Sequence, residues 1–398
     1  MQVKVNTLCH LYFLFALFML GFADYMDMRG MEHGVEGSTF IRIVQAAAFV
    51  VWAGSACKLF FKSYHLYSFP LPIKLYILFF TWAILPILLT NETKITEIVF
   101  YIIVFSLPIL TMVSAHNTAI QTDGTKGDKI MFLVIFLLLI LQYVSIFREL
   151  NFLEMAHLIS SYYLLYTLPL LLLIKPRYIK AVTILIVIVV LFSSLKRSGI
   201  LALAISLFFY IFISQYVRNK FNLTAFIGSL VAITLLGTVF VLFATNDLGN
   251  ENILNRFENI DRDQGSGRLV VWEQTISMIE GQEGATLLFG NGYNAVMHDS
   301  TLQLSAHNDF LEVTYDFGIV GLLLYIAAFI TLGLYIVKMI INRSPYAPPI
   351  AMLFIIYFIQ SMISHVIIYY WANIFMLTFG YIIGKYRKDA VCQQNYIQ

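Results

Sequence analysis

Three groups of residues in this chain could do chemistry on an anionic substrate in water. The first is Lys196 with Arg197, two adjacent cations in a very short turn between two apolar runs. Ionisable groups pressed against a bilayer are costly and usually have a task. The second is Arg268, in the string Gly-Ser-Gly-Arg-Leu-Val-Val-Trp at 265–272. Leu269, Trp272, Ile276 and Ile279 are spaced to share one helix face, with Glu273 and Glu280 on the polar side and Gly281 at the end. That spacing predicts a helix whose first turn holds Arg268. The backbone dipole there favours an anion and gives a cation no support, so two readings stand: a bound anion, or an ion pair with a carboxylate such as Asp263.

The third group is Ala-His-Asn-Asp-Phe-Leu-Glu at 306–312. His307 lies just before an expected helix, and imidazole can take a proton from a hydroxyl near neutral pH. His33, His157, His298 and His365 compete for that role on residue type alone. Asp309 and Glu312 have the spacing of a capping box, which gives both a structural alternative. Between the second and third groups, Phe-Gly-Asn-Gly-Tyr at 289–293 reads as a turn whose glycines permit left-handed backbone and could bring backbone donors, with Tyr293, to a substrate.

The elements that must position these groups are mostly apolar. Of 398 residues 60% are hydrophobic and 12% charged, half the charge of about 25% usual in soluble domains. The expected fold class is all-α, a polytopic membrane helical bundle of about twelve transmembrane helices. The spans fall near 8–23, 40–61, 72–89, 97–115, 130–147, 158–174, 179–195, 198–217, 223–245, 318–341, 347–366 and 368–384. The runs are apolar on nearly every face, unlike the alternating segments of a barrel. The first run lacks a small-residue cleavage site and reads as a retained span.

Lys and Arg concentrate in alternate loops when both termini are cytoplasmic, and of the 23 acids only Asp123, Asp128 and Asp389 then fall inside. This divides the chain into residues 1–245 with spans one to nine, an extracytoplasmic loop 246–317, and residues 318–398 with spans ten to twelve and a cytoplasmic tail. The loop should contain short amphipathic helices, one of them at 252–260 beside Arg256 and Arg262. The net charge of +2 gives no sign of nucleic acid, and Cys9, Cys57 and Cys392 have no metal or disulfide spacing.

The Arg-x-x-x-Trp helix, the 289–293 turn, and the His-Asn-Asp-Phe-Leu-Glu string followed by Asp-Phe-Gly-Ile-Val-Gly together resemble the outer loop of bacterial O-antigen polymerases and ligases. The likeness is close over the polar loop, extends to Arg197, and elsewhere is a pattern of spans. It implies a glycosyltransferase of the cell envelope that moves undecaprenyl-pyrophosphate-linked glycan outside the inner membrane, without cofactor or metal. His307 is then the general base and Arg197 and Arg268 the cations on the pyrophosphate, with Lys196, Asn308, Glu312 and Tyr293 as further substrate contacts. Where ligases have Ser-Arg, this chain has Lys-Arg at 196–197, so either cation could make that contact.

The resemblance favours a polysaccharide polymerase, with a ligase as the near alternative. The implied partners are the lipid-linked oligosaccharide, membrane lipid, and a chain-length regulator or flippase. A transporter would place charges at mid-span depth and break its helices there, and a non-catalytic scaffold would need none of these groups.

Overall fold

The computed structural model describes residues 69–89, 95–121, 161–173, 197–219, 267–364, 366–367 and 371–397, with residue 50 and scattered residues between 182 and 231. Among these there are helices and no strand. In chain order they are α1 (Leu71–Leu89), α2 (Ile95–Gln121), α3 (Ser161–Leu171), α4 (Arg197–Val217), α5 (Arg268–Glu280), α6 (Gly284–Phe289), α7 (Ala295–Asp299), α8 (Asp309–Ile341), α9 (Ala347–Ile363) and α10 (Trp371–Ile397). Helices α1 to α4 and α8 to α10 stand where spans were expected. Spans 8–23 and 130–147 lie outside the described residues, and 40–61, 179–195 and 223–245 largely so. Among the described residues two helices are long and apolar enough to cross a membrane, at Ser198–Val217 and Asp309–Ile341.

Two boundaries differ from expectation. α10 continues to Ile397, well past the span end at 384. α8 begins at Asp309 and runs on for 33 residues, so the loop and the tenth span share one helix. Gly318 divides it, with φ 69° and ψ −178°. The 309–317 part carries Asp309, Glu312 and Asp316, and the part beyond Gly318 carries no charge until Lys338.

The described residues form two compact units. In one, α2 beyond residue 110, α3 and α10 pack closely enough that a Cβ on Gly380 or Gly384 would strike the Met112 or His116 carbonyl. Thr378 Oγ1 donates to the Tyr166 carbonyl at 2.9 Å, and Phe375 packs edge-on against the Tyr166 ring.

The other unit holds α1, α4 to α9 and the start of α2. α1 packs on α8, and α9 packs on both α4 and α8. Its core is aromatic: Phe79 and Phe105 meet Phe317 edge-on at 6.2 and 5.3 Å, and Phe329 stacks on Tyr357 at 5.0 Å. Such pairs add to area burial by fixing ring geometry. This unit contains every described candidate residue.

Candidate functional site

The site is built on the two ends of the 309–317 helix segment. At Gly318 the helical bonds are interrupted, which leaves carbonyls of the preceding turn needing donors. The 289–293 turn supplies them. Asn291 N–H donates to Tyr315 O at 3.1 Å and Gly292 N–H to Asp316 O at 2.9 Å, while Gln282 Nε2 also reaches Tyr315 O at 3.0 Å. Trp82 of α1 donates from Nε1 to Phe317 O at 3.0 Å and stacks on Phe289. The two backbones meet at Gly290 and Gly318, where a Cβ on either would collide with the other strand of chain. The turn therefore spends its backbone donors on the kink in α8, against the expectation that they are offered to a substrate. Tyr293 packs edge-on against Phe105 at 5.2 Å, also at this end.

At the other end lies His307, with φ 49°. A non-glycine residue in the left-handed region is uncommon and marks a turn or a strained functional position. It is held from both sides. Trp272 Nε1 donates to the Ala306 carbonyl at 2.8 Å. Asn308 is the N-cap of α8, its Oδ1 accepting from Phe310 N–H at 3.0 Å and Leu311 N–H at 3.2 Å, while its Nδ2 donates to Met362 O at 3.1 Å. Asn308, not Asp309, thus caps the helix. The capping box suggested by Asp309 and Glu312 does not form, because Asp309 is already the first helical residue.

The acids turn inward instead, and both Asp309 and Glu312 are fully buried. Asp309 Oδ1 accepts from Val366 N–H at 2.8 Å and Ile367 N–H at 3.3 Å, and its Oδ2 from Tyr325 Oη at 3.1 Å. Asp316 accepts from the N–H groups of Asn294 and Val296 at 2.8 and 3.1 Å. Among the described residues neither oxygen of Glu312 has a hydrogen bond of good geometry, and the Ala306 N–H makes a weaker electrostatic contact with it. Burying carboxyl groups so close together is expensive unless each is bonded or neutral. Glu312 has the least such compensation of the three, and its one contact comes from Ala306, the residue before His307.

Arg268 is the first residue of α5, behind Gly267 at φ 76° with no side-chain cap. It shares a helix face with Trp272 four residues on, and Trp272 is bonded to Ala306, so α5 presents that face to the His307 turn. The buried stripe of α5 is not the one expected from its spacing. Val271 and Thr275 are buried, while Leu269 and Ile276 are 52% and 44% exposed. Beneath α5 a small core of Ala295, Val296, Ala306 and Tyr315 is joined by Met278, Ile279 and Leu311. Tyr315 Oη also donates to Asp299 at 2.8 Å.

Arg197 opens α4. The residue after it, Ser198, has its carbonyl bonded by Gln360 Nε2 of α9 at 3.3 Å. Gln360 and Met362 lie within one turn of one helix, and Met362 is bonded by Asn308. The backbone at 197–198 and the turn at 307–308 are therefore fastened to the same turn of α9. Lys196, Asp263 and the 252–260 helix lie outside the described residues, as does the competitor His365. His298 is exposed at the end of α7. No group of His, Cys, Asp and Glu suited to a metal ion occurs among the described residues.

Fold and site together define a helical membrane protein in which a polar segment is pinned against its spans, with a histidine turn bonded to α5 and tied through α9 to the first turn of α4. Residues 182–326 match the family model of the O-antigen ligase. The resemblance noted from the motifs is thereby borne out over this segment, which is similar to that family. No curated protein matches the chain as a relative. Gln360 and the end of α9 lie beyond the matched segment, and sequence reasoning passed them over because a single Gln in an apolar run carries no motif.

Proposed function

We propose that this protein is a polysaccharide polymerase of the bacterial inner membrane, with its site on the extracytoplasmic side. It transfers glycan from undecaprenyl pyrophosphate onto the next lipid-linked repeat unit, without metal. The observation that carries this reading is the left-handed His307 turn, bonded at Ala306 by Trp272 of the helix that Arg268 opens and tied through α9 to the first turn of the helix that Arg197 opens. In the step, the acceptor hydroxyl oxygen attacks the anomeric carbon as the carbon–oxygen bond to pyrophosphate breaks. The hydroxyl proton passes to the His307 imidazole, the bonding pair leaves on the pyrophosphate, and the configuration inverts. Arg197 and Arg268 stabilise the charge that builds on the leaving oxygens, which a planar guanidinium can do through two bonds at once. Lys196 completes the proposed substrate contacts, while Asn308, spent on the cap and the Met362 tether, the fully buried Glu312, and Tyr293, packed on Phe105, support the site from behind.

The second reading is transfer of finished glycan to another acceptor, which the likeness of residues 182–326 to the O-antigen ligase family supports equally. Purified protein in liposomes with a lipid-pyrophosphate-linked repeat unit decides between them: a ladder of lengthening lipid-linked products supports the polymerase, and transfer only to a separate lipid acceptor supports the ligase. In the same assay Arg197→Ala or Arg268→Ala should weaken donor binding and rate together, by about 1.5–3 kcal/mol for a lost charged contact. His307→Ala should keep donor binding and lose turnover by roughly 10²–10⁴-fold. Near-normal turnover in His307→Ala would refute the assignment of the base.

A further inference from the structure

The last turn of α9 carries polar residues that no motif explains. Gln360 is 1% exposed in a helix that is apolar apart from Tyr357 and Ser361. Its Nε2 donates to the Ser198 carbonyl at 3.3 Å, and among the described residues its Oε1 is buried without a hydrogen-bond partner. An amide half-satisfied in such a place is costly, and leucine would pack there at lower cost. Nor does Ser198 need it, because a carbonyl in the first turn of an α-helix already accepts the N–H four residues on. The bond is therefore explained by where it holds α4 and not by saturation of the backbone.

The neighbours of Gln360 hold the other half of the site. Ser361 Oγ lies 3.1 Å from Tyr325 Oη, which donates to Asp309. Met362 O takes Asn308 Nδ2, and past the helix end Val366 and Ile367 donate to Asp309. One short stretch, 360–367, thus grips α4 at its first turn and α8 at its N-cap.

We propose that Gln360 is a positioning residue, which fixes the first turn of α4, and with it Arg197, relative to the His307 turn; this rests on the reading of Arg197 as a cation at the pyrophosphate. The experiment compares Gln360→Leu alone and in an Arg197→Lys background, in the liposome assay, with backbone hydrogen exchange across the first two turns of α4. Gln360→Leu should lower kcat/KM by roughly fivefold, the value of one ordinary buried hydrogen bond. In the Arg197→Lys background the same change should cost about twofold or less, because two residues acting through one contact are not additive. Exchange at the start of α4 should quicken while that at the end of α4 does not. Equal losses in both backgrounds, or unchanged exchange, would overturn the proposal. Should Arg197→Ala alone leave activity intact, the reading of Arg197 falls, and the exchange measurement still decides whether Gln360 fixes α4. Gln360→Met, unbranched and close in shape, serves if the leucine variant does not accumulate.

Discussion

Asn308 performs two tasks with one side chain, and they can be separated. Its Oδ1 caps α8 through two backbone N–H groups, and its Nδ2 ties that cap to Met362, 54 positions along the chain. An N-cap is worth about 1 kcal/mol, and a buried neutral hydrogen bond also contributes about 1 kcal/mol. Asn308→Ser keeps a good capping oxygen and gives up the tether, so it should lose about 1 kcal/mol. Asn308→Ala gives up both and should lose about 2 kcal/mol. Urea or thermal unfolding in detergent gives the stabilities, and turnover at saturating donor in liposomes gives the functional cost. Because the tether and not the cap fixes the His307 turn against α9, the two variants should differ in stability and share a similar loss of turnover. If Asn308→Ser matched the wild type in both measurements, the tether would contribute nothing and the account of how His307 is held would fail.

Gly318→Ala should fail to accumulate as folded protein, since its Cβ would strike the Leu288 carbonyl and the backbone is in the left-handed region; normal accumulation with full activity would contradict the close approach to Gly290. The proposed topology is tested by a reporter active only in the cytoplasm, which should be active after Lys129, Lys220 or Lys388 and silent within residues 283–285. Activity at the last position would place the outer segment on the wrong side of the membrane.

Much of this arrangement can be read from the chain alone because apolar runs of span length leave few alternatives to a helix, and because the His-Asn string sits where such a run begins. Finer features escape. The capping box and the Asn308 cap differ by a single position, and only the direction of the Asp309 side chain, turned in toward Val366 and Ile367, separates them. The Phe-Gly-Asn-Gly-Tyr turn offers donors to whatever lies opposite, and the occupant is a kink created by a glycine 28 positions away, Gly318 beyond Gly290. On α5 the spacing of Leu269 and Ile276 marks an apolar face, but next to a membrane such a face need not point into the protein. Gln360 is invisible for the opposite reason: its meaning lies wholly in contact with Ser198, 162 positions earlier.

The outward-facing apolar residues of the polar segment carry a practical consequence. Leu269, Val270, Ile276, Leu288, Met297 and Leu304 are all well exposed, and exposed apolar surface in such quantity favours association in water. The segment's polar bonds, meanwhile, end on Tyr315, Asp316 and Met362, all beyond residue 308. A polypeptide cut to residues 267–308 would lose those anchors and keep the sticky face, so it would aggregate instead of folding as a soluble catalytic domain. Inhibitor screening and antibody selection against this region therefore call for the full-length chain in a lipid environment.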